Sequence, residues 1–321
     1  MSILVTGSTG FIGQHLIDEL NNLGKKIIVL VRPGSSIEYL NRLSNVTIYF
    51  GDLSDDNCIN EMEKEIDCLY HLAVNWEKMS SRMDKEFVRK LLENGLKQVV
   101  YYSSVCAYGL DLNRNNLSES LPSSFLSNDK YGIYKHEVEQ CLLDLKTTYN
   151  FQLHILRPTL VYGPGDFQTV YNLFNLIRKD KLFLYDNGKR GANPCYVKNL
   201  IKISIHLFQN ESIEDGIYNV ADNDNTTVFE LTKEISLTMG FQFRYKNINS
   251  FLAYYKGFIN FVFNKLELSK SEETHFSYNI WKRSYSIDLT KMKIITANLD
   301  LYQMREGLKE SYSWYIDQNK L

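Results

Sequence analysis

The stretch ILVTGSTGFIG, residues 3–13, decides the fold of this chain. A short apolar run ends at Gly7, and apolar residues then recur at helical spacing over residues 11–24. Gly7, Gly10 and Gly13 form a GxxGxxG turn between the two elements. Glycines at such a turn let backbone N–H groups approach a pyrophosphate at the positive end of the helix. The stretch therefore predicts a dinucleotide-binding turn.

The rest of the chain continues this alternation of strand and helix. Apolar runs predict strands at 26–32, 46–50, 67–73, 98–104, 151–158 and 216–221. Helical patterns separate several of them, at about 55–64, 82–94 and 129–148. The alternation predicts an α/β fold, a doubly wound parallel sheet of the Rossmann type, with ligands at the carboxyl ends of the strands.

We predict two interleaved domains. The Rossmann domain comprises residues 1–165 and 192–225, and a smaller substrate-binding lobe comprises residues 166–191 and 226–321. The lobe is expected to be mostly helical, because the strand pattern becomes irregular after the run that ends at residue 221.

Composition and charge exclude several classes of function. A net charge of −2 and a pI near 6.3 give no basic field for nucleic acid or an anionic membrane. Five cysteines without a CxxC pair argue against disulfides and zinc, so no metal is expected and a cytoplasmic location is favoured. The chain runs straight into a strand, so no signal peptide is expected. The apolar segment 251–263 is too short and too polar to span a bilayer, so no integral membrane segment is expected.

A Tyr-xxx-Lys pair provides the predicted catalytic groups. Tyr131 and Lys135 lie four residues apart at the start of a predicted helix, so both project from one face. The Lys135 ammonium is expected to lower the pKa of Tyr131, which makes the phenol a usable acid and base. Ser104, at the end of the fifth strand, is expected to hydrogen-bond the substrate oxygen. Tyr134 points about 100° away from this face, so its replacement by Phe is expected to cost little.

Eight motifs, taken together, resemble one family. They are TGSTGFIG (6–13), GDLSD (51–55), HLA (71–73), SSVCAYG (103–109), YGIYK (131–135), RPTLVYGPGD (157–166), YNVAD (218–222) and YSIDLTK (285–291). Their order is similar to that in the extended short-chain dehydrogenases/reductases, the family of NAD(P)-dependent nucleotide-sugar epimerases, dehydratases and ketoreductases. The resemblance covers essentially the whole chain. It implies hydride transfer with Ser104, Tyr131 and Lys135 as the catalytic residues.

The resemblance also implies where the cofactor binds. Asp52 and Leu53 would hold the adenine, and Ala73 would line the dinucleotide. The predicted cofactor-binding residues are Gly7, Thr9, Gly10, Phe11, Ile12, Gly13, Arg32, Asp52, Leu53, Leu72, Ala73, Lys135 and Pro158. NAD-binding members carry an acidic residue after the second strand, where this chain has Val31 followed by Arg32. A guanidinium accommodates a 2′-phosphate, so NADP(H) is favoured and NAD(H) is the alternative.

The residues after Ser104 restrict the reaction. Related 4,6-dehydratases need an Asp-Glu pair there, and Val105 cannot transfer protons, so dehydration is not expected. Cys106 stands where related 3,5-epimerases use a proton-shuttling cysteine. No matching second base follows Gly163, so a buried structural thiol is the favoured interpretation of Cys106.

A nucleotide-activated sugar is the leading substrate class, in a 4-ketoreductase or 4-epimerase reaction. Leucine at position 160 occurs in 4-ketoreductases of bacterial polysaccharide pathways. The candidate substrate-binding residues are Cys106, Arg190, Tyr196 and Arg283.

Three points stay open in this interpretation. A reductase or dehydrogenase of a bulkier, non-nucleotide ketone or alcohol is the alternative enzyme, and an inactive NADP-sensing regulator is the alternative of another class. Asn75 and Asn94 do not fit the register of the asparagine that relatives carry before the fifth strand, so the fourth catalytic group is unassigned. A homodimer is one expected assembly, and the short segment from His71 to Ser103 leaves open whether it uses the usual helix pair.

Overall fold

A computed structural model describes residues 2–62, 66–109, 114–125, 129–249 and 285–321. Its strands are β1 (Ser2–Thr6), β2 (Lys26–Val31), β3 (Val46–Phe50), β4 (Cys68–His71), β5 (Gln98–Tyr102), β6 (Arg114–Leu117), β7 (Gln152–Pro158), β8 (Leu160–Tyr162), β9 (Phe183–Tyr185), β10 (Pro194–Tyr196), β11 (Gly216–Val220), β12 (Lys246–Ile248) and β13 (Tyr285–Ile287).

The helices alternate with these strands along most of the chain. They are α1 (Phe11–Asn22), α2 (Asp56–Glu61), α3 (Ser81–Glu93), α4 (Lys130–Lys146), α5 (Val170–Arg178), α6 (Val197–Gln209), α7 (Val228–Thr238), α8 (Thr290–Ile295) and α9 (Met304–Asp317). Short 3₁₀ turns cover Leu40–Arg42, Val105–Tyr108 and Asp186–Gly188. Within the described ranges, no helix combines the length and the apolar character needed to cross a bilayer.

The central sheet has seven strands in the order β3-β2-β1-β4-β5-β7-β11, and every pairing in it is parallel. The order reverses direction between β1 and β4, which is the switch point where ligands bind in open α/β sheets. This sheet confirms the predicted doubly wound Rossmann fold.

Helices cover both faces of the sheet because successive side chains of each strand point to opposite sides. In β1, Ile3 and Val5 belong to the apolar cluster that includes α1 and α6. Leu4 belongs to the cluster that includes α2, α3 and α4. The sequence ILV thus supplies both layers of the core from three consecutive residues.

Shorter strand pairs lie outside the central sheet. They are β8 with β10, β9 with β12, and β6 with β13, all parallel. After β11, the described residues contain α7, α8 and α9 together with β12 and β13. The predicted domain boundaries stay a prediction.

Candidate active site

The glycine-rich turn brings the end of β1, the end of β4 and the start of α1 into close contact. Gly7 has a φ of +73°, and a Cβ there would lie 2.9 Å from the backbone nitrogen of Ala73. A Cβ on Gly13 would lie 2.2 Å from the carbonyl oxygen of Gly7. Any side chain at either position would therefore push these elements apart. The cradle is open enough for a pyrophosphate only because both residues are glycine.

A cleft of about 540 Å³ extends from this turn along the carboxyl ends of the central strands. Every residue predicted to bind the cofactor lines it, together with Tyr131: Gly7, Thr9, Gly10, Phe11, Ile12, Gly13, Arg32, Asp52, Leu53, Leu72, Ala73, Lys135 and Pro158. The residues chosen from the sequence therefore share one cleft. Its lining also includes residues that sequence reasoning missed, among them Ser35, Trp76 and Phe167.

The far end of the cleft carries a positive charge at the end of β2. Arg32 is exposed there, and Ser35 lies on the same wall. Asp52, after β3, accepts hydrogen bonds on Oδ1 from the backbone and side chain of Ser54, 3.2 and 3.1 Å away. The sequence has no acidic residue directly after β2, and the described lining of the cleft accordingly has no carboxylate at that point.

The first turn of α4 places Tyr131 at the end of β5. Asp129 caps this helix by accepting a hydrogen bond from the Gly132 N–H at 3.1 Å. The Ser104 side chain lies close enough to the Tyr131 hydroxyl to lower its pKa as a hydrogen-bond partner. Burial and the nearby Cys106 raise the pKa of Tyr131, and the bond to Ser104 opposes this in part. The phenol is therefore held in its proton-donating form beside Ser104.

Lys135 lies beneath this turn of α4 and is buried. Its Nζ donates to the carbonyl oxygen of Tyr102 at 2.6 Å and lies 4.7 Å from the ring centroid of Tyr101. Burial lowers the pKa of Lys135 to about 8. The expectation that its ammonium lowers the pKa of Tyr131 was wrong for this arrangement, because burial of the phenol dominates.

Gly132 allows α4 to approach the active-site turn that follows β5. A Cβ on Gly132 would lie 2.5 Å from the carbonyl oxygen of Cys106 and 2.8 Å from the Asp129 carboxylate. Because the first of these is a backbone atom, the helix would have to move. The glycine inside YGIYK thus sets the separation between Tyr131 and Ser104, a role that the sequence pattern did not reveal.

We expect Gly132→Ala to lower turnover at least about tenfold, because a shift of the helix misplaces Tyr131 relative to Ser104. Cofactor affinity is expected to fall less than turnover, since the glycine turn at β1 is untouched while the shift of α4 also moves Lys135. Steady-state kinetics and cofactor titration measure the two effects. Gln140→Ala is the control, because Gln140 is an exposed residue of the same helix. Full turnover in Gly132→Ala would contradict this role.

Tyr134 makes contacts that its predicted role did not include. Its hydroxyl donates to the carboxylate of Asp84, at 3.1 Å from Oδ1 and 3.0 Å from Oδ2. Both residues are buried. Loss of a hydrogen bond to a buried carboxylate costs about 1–3 kcal/mol of stability. The prediction that Tyr134→Phe costs little is therefore wrong for the stability of the fold, which the substitution should lower.

Trp76 covers one side of the catalytic tyrosine. Its indole stacks on the Tyr131 ring, with centroids 5.3 Å apart and planes 17° from parallel. The side chain is nevertheless 61% exposed and lines the cleft. Phe167, 46% exposed, lines the same cleft after β8. Trp76 lies three residues after the HLA motif, and this position was the signal that the sequence analysis missed.

The structure does not bring the remaining substrate-binding candidates to the cleft. Arg190 pairs with Asp186 at 2.8 Å and is absent from the described lining of the cleft. Tyr196 is fully buried, and its hydroxyl donates to Glu310 at 2.5 Å, so a substrate contact by Tyr196 was wrong. Cys106 is half-buried near Tyr131 and Lys135, and its N–H donates to Ser104 Oγ at 3.2 Å. Arg283 and the segment 251–263 lie outside the described residues.

The family of the chain follows from a match that spans the whole sheet and this cleft. The model of the NAD dependent epimerase/dehydratase family matches residues 3–221. The chain belongs to this family. The resemblance to extended short-chain dehydrogenases/reductases is thereby confirmed, and the protein is an oxidoreductase-type enzyme with an NAD-binding Rossmann fold.

Individual relatives of this family member differ in what their names say they act on. The chain is 22% identical over 259 residues to UDP-glucose 4-epimerase of Vibrio cholerae, covering 74% of this chain and 76% of the relative. It is 23% identical over 271 residues to a decarboxylating sterol-4-alpha-carboxylate 3-dehydrogenase of Mus musculus, covering 79% and 73%. Among solved structures, a UDP-glucuronic acid 4-epimerase of Bacillus cereus in complex with UDP-glucuronic acid and NAD matches with a TM-score of 0.73 at 18% identity. That match covers 99% of this chain and 100% of the other. The structural match shows the fold.

Proposed function

We propose that this protein is a nucleotide-sugar 4-epimerase that moves a hydride to and from carbon 4 of the sugar. The observation that carries the proposal is that Tyr131 and Lys135 line the same cleft as the glycine-rich turn, with Ser104 close to the Tyr131 hydroxyl. The similarity to a UDP-glucose 4-epimerase supports the choice of substrate and reaction. A 4-ketoreductase would use the same residues and differ in releasing the oxidised cofactor.

The cleft fits a nicotinamide dinucleotide, because its cradle exists only where Gly7 and Gly13 leave room for a pyrophosphate. The N-terminus of α1 would face the phosphates, and Lys135 would hold the nicotinamide ribose. When bound, the nicotinamide supplies the hydride acceptor and donor. Since the family is named for NAD, and Arg32 follows β2, both NAD(H) and NADP(H) are candidates.

Tyr131 acts as the acid and base that transfers the proton. In the reduction step the phenol, the form that burial favours, gives its proton to the 4-keto oxygen. In the oxidation step the phenol first releases its proton to solvent, and the phenolate so formed takes the proton of the substrate 4-hydroxyl. Ser104 Oγ orients the same oxygen by a hydrogen bond. Lys135 contributes a positive charge beneath the site. Val105 is buried and carries no proton-transferring group, which supports the absence of a dehydration step.

For the cofactor, we expect NADPH to bind at least tenfold more tightly than NADH, a difference of about 1.4 kcal/mol. The reason is Arg32, an exposed guanidinium where a carboxylate would bind the ribose of NAD. Isothermal titration with both cofactors measures the ratio. Arg32→Ala should narrow it by weakening NADPH alone, and the exposed Arg42, which is absent from the described cleft lining, provides Arg42→Ala as control. Equal affinities or a preference for NADH would contradict the expectation.

A second candidate function is oxidation or reduction of a bulkier apolar alcohol or ketone. The exposed aromatic rings of Trp76 and Phe167 on the cleft favour it, since apolar surface of this kind suits a ring system. Similarity to the murine sterol dehydrogenase points in the same direction.

Ligand protection against thermal unfolding separates the two candidates. A ligand that binds only the native protein raises the unfolding temperature by mass action. We expect UDP-, GDP-, dTDP- or CDP-sugars, screened with cofactor present, to give larger shifts than steroid alcohols at equal concentration. Protection by steroids and by none of the nucleotide sugars would contradict the proposed epimerase and favour the second candidate.

A further inference from the structure

A buried polar chain connects the phosphate-binding turn to the catalytic helix. It runs from Thr6 in β1 through His71 in β4 and Asp84 in α3 to Tyr134 in α4. His71 and Asp84 have no exposed surface, and Thr6 and Tyr134 are 1% and 2% exposed. Side-chain hydrogen bonds thus join β1 and α4, which both line the cleft, through β4 and α3.

The direction of each hydrogen bond follows from Thr6. Its Oγ1 accepts from the backbone N–H groups of Leu72 and Ala73, each at 3.2 Å, which uses both lone pairs. The hydroxyl proton must therefore be donated to Nδ1 of His71, 2.8 Å away. His71 then carries its own proton on Nε2 and donates it to Oδ1 of Asp84 at 2.8 Å. The imidazole is neutral in this arrangement.

Asp84 consequently has two neutral donors, His71 and Tyr134, as its hydrogen-bond partners. Among the ion pairs of the described ranges, the one that includes Asp84 joins it to His71 and none joins it to a lysine or arginine.

Lys135, which directly follows Tyr134 in α4, lies close to this polar chain: its Nζ is 4.7 Å from the Tyr101 ring centroid, and that centroid is 5.6 Å from the centroid of the His71 ring. The groups that act on Lys135 are Asp84 from α3, Glu139 from α4, Cys106 from the 3₁₀ turn after β5, and the Tyr101 ring of β5. Glu139 is already paired with Arg157, which donates to it from Nε at 2.9 Å and from a terminal nitrogen at 2.5 Å. Asp84 is therefore the anion near Lys135 that has no cationic partner of its own.

We propose that Asp84 is a positioning residue that supplies the buried counter-charge of Lys135 and, through Tyr134, holds α4 against β4. Burial alone favours the neutral amine, because an ammonium loses its hydration inside the protein. The Asp84 charge opposes this loss, as does that of Glu139. The inference extends the proposed function by assigning a residue that keeps Lys135 charged near neutral pH.

The test is a titration of Lys135 by NMR in protein labelled with ¹³C at the lysine Cε, with the resonance assigned by its loss in Lys135→Arg. Asp84→Asn removes the charge and preserves the bonds, because the amide oxygen accepts from His71 and Tyr134 where Oδ1 did. We expect Lys135 to titrate about one pH unit lower in Asp84→Asn than in wild type. Tyr134→Phe is the matched control, since it removes a hydrogen bond and leaves the charge, and should titrate at or slightly above wild type.

An unchanged titration of Lys135 in Asp84→Asn would overturn the proposal, as would an equal downward shift in Tyr134→Phe. If Asp84→Asn does not fold, the double variant Asp84→Leu with Tyr134→Phe replaces the pair by apolar side chains, which proteins often tolerate. In this double variant too, Lys135 is expected to titrate about one pH unit lower than in wild type. The titration needs neither cofactor nor substrate, so failure of this inference is distinguishable from failure of the proposed function.

Discussion

Tyr131→Phe is expected to lower turnover about 10²–10⁴-fold while cofactor binding survives. The substitution removes the proton donor and the partner of Ser104 with little change of volume. The ring still stacks on Trp76, so the wall of the cleft remains in place. Single-turnover rates on the best ligand from the screen measure the chemical step. Quenching of protein fluorescence measures cofactor affinity separately.

Tyr134→Phe is the control for this prediction, because it removes the same atom from the neighbouring tyrosine of YGIYK. It should retain most of the turnover and lose stability, since the buried Asp84 loses a donor. Thermal unfolding measures that loss. If Tyr134→Phe is the inactive variant and Tyr131→Phe is active, the assignment of the whole site is wrong and that of Ser104 falls with it.

Lys135→Met is expected to damage both turnover and cofactor affinity, with turnover about 10²-fold or more below wild type. The ammonium lies inside the cleft wall beside β5, where it is proposed to hold the ribose and to charge the site. Lys146→Met, on the same helix in a surface pair with Asp215, is the matched control and should keep both properties. Normal cofactor affinity in Lys135→Met would contradict the ribose contact.

The pH dependence of the reduction follows from the same lysine. Because burial lowers its pKa to about 8, Lys135 is charged below that pH and loses its charge as the pH rises through it. The Tyr131 phenol, whose pKa burial raises, remains a proton donor over the same range. We therefore expect the rate of reduction to be level below about pH 8 and to fall above it. A flat profile through this region would mean that the charge of Lys135 is not needed.

The parts of the site that the sequence predicted are those encoded by short local patterns. The glycine turn and the pair Tyr131 and Lys135 depend on spacing within one strand–helix unit, and the parallel sheet then places them in one cleft. Gly132 lay within the same pattern, but its reason is a contact with Cys106, 26 residues earlier in the chain. The spacing of residues within a short motif cannot predict a contact with a residue so distant in the sequence.

Asp84 and Tyr196 are two further residues whose surroundings could not be predicted from the local sequence. Asp84 lies in the charged stretch SRMDKE and resembles a surface residue until β4 and α4 close over it. Tyr196 is the last residue of β10 and was predicted to contact substrate, but α9 covers it and its hydroxyl donates to Glu310. In both cases the packing partner is distant in sequence, so only the folded structure decides whether the side chain meets the cleft, the core or the solvent.

Transfer of deuterium from carbon 4 of a nucleotide sugar tests the central claim most directly. The enzyme, saturated with the oxidised form of its preferred cofactor, is given the nucleotide sugar that protects it best, labelled with deuterium at that carbon. For an epimerase we expect the 4-epimer to form with the deuterium retained at carbon 4. NMR and mass spectrometry of the product measure where the deuterium lies. Tyr131→Phe should form it at least about a hundredfold more slowly. Formation of neither the epimer nor deuterated reduced cofactor, with both ligands bound, would contradict hydride transfer at carbon 4.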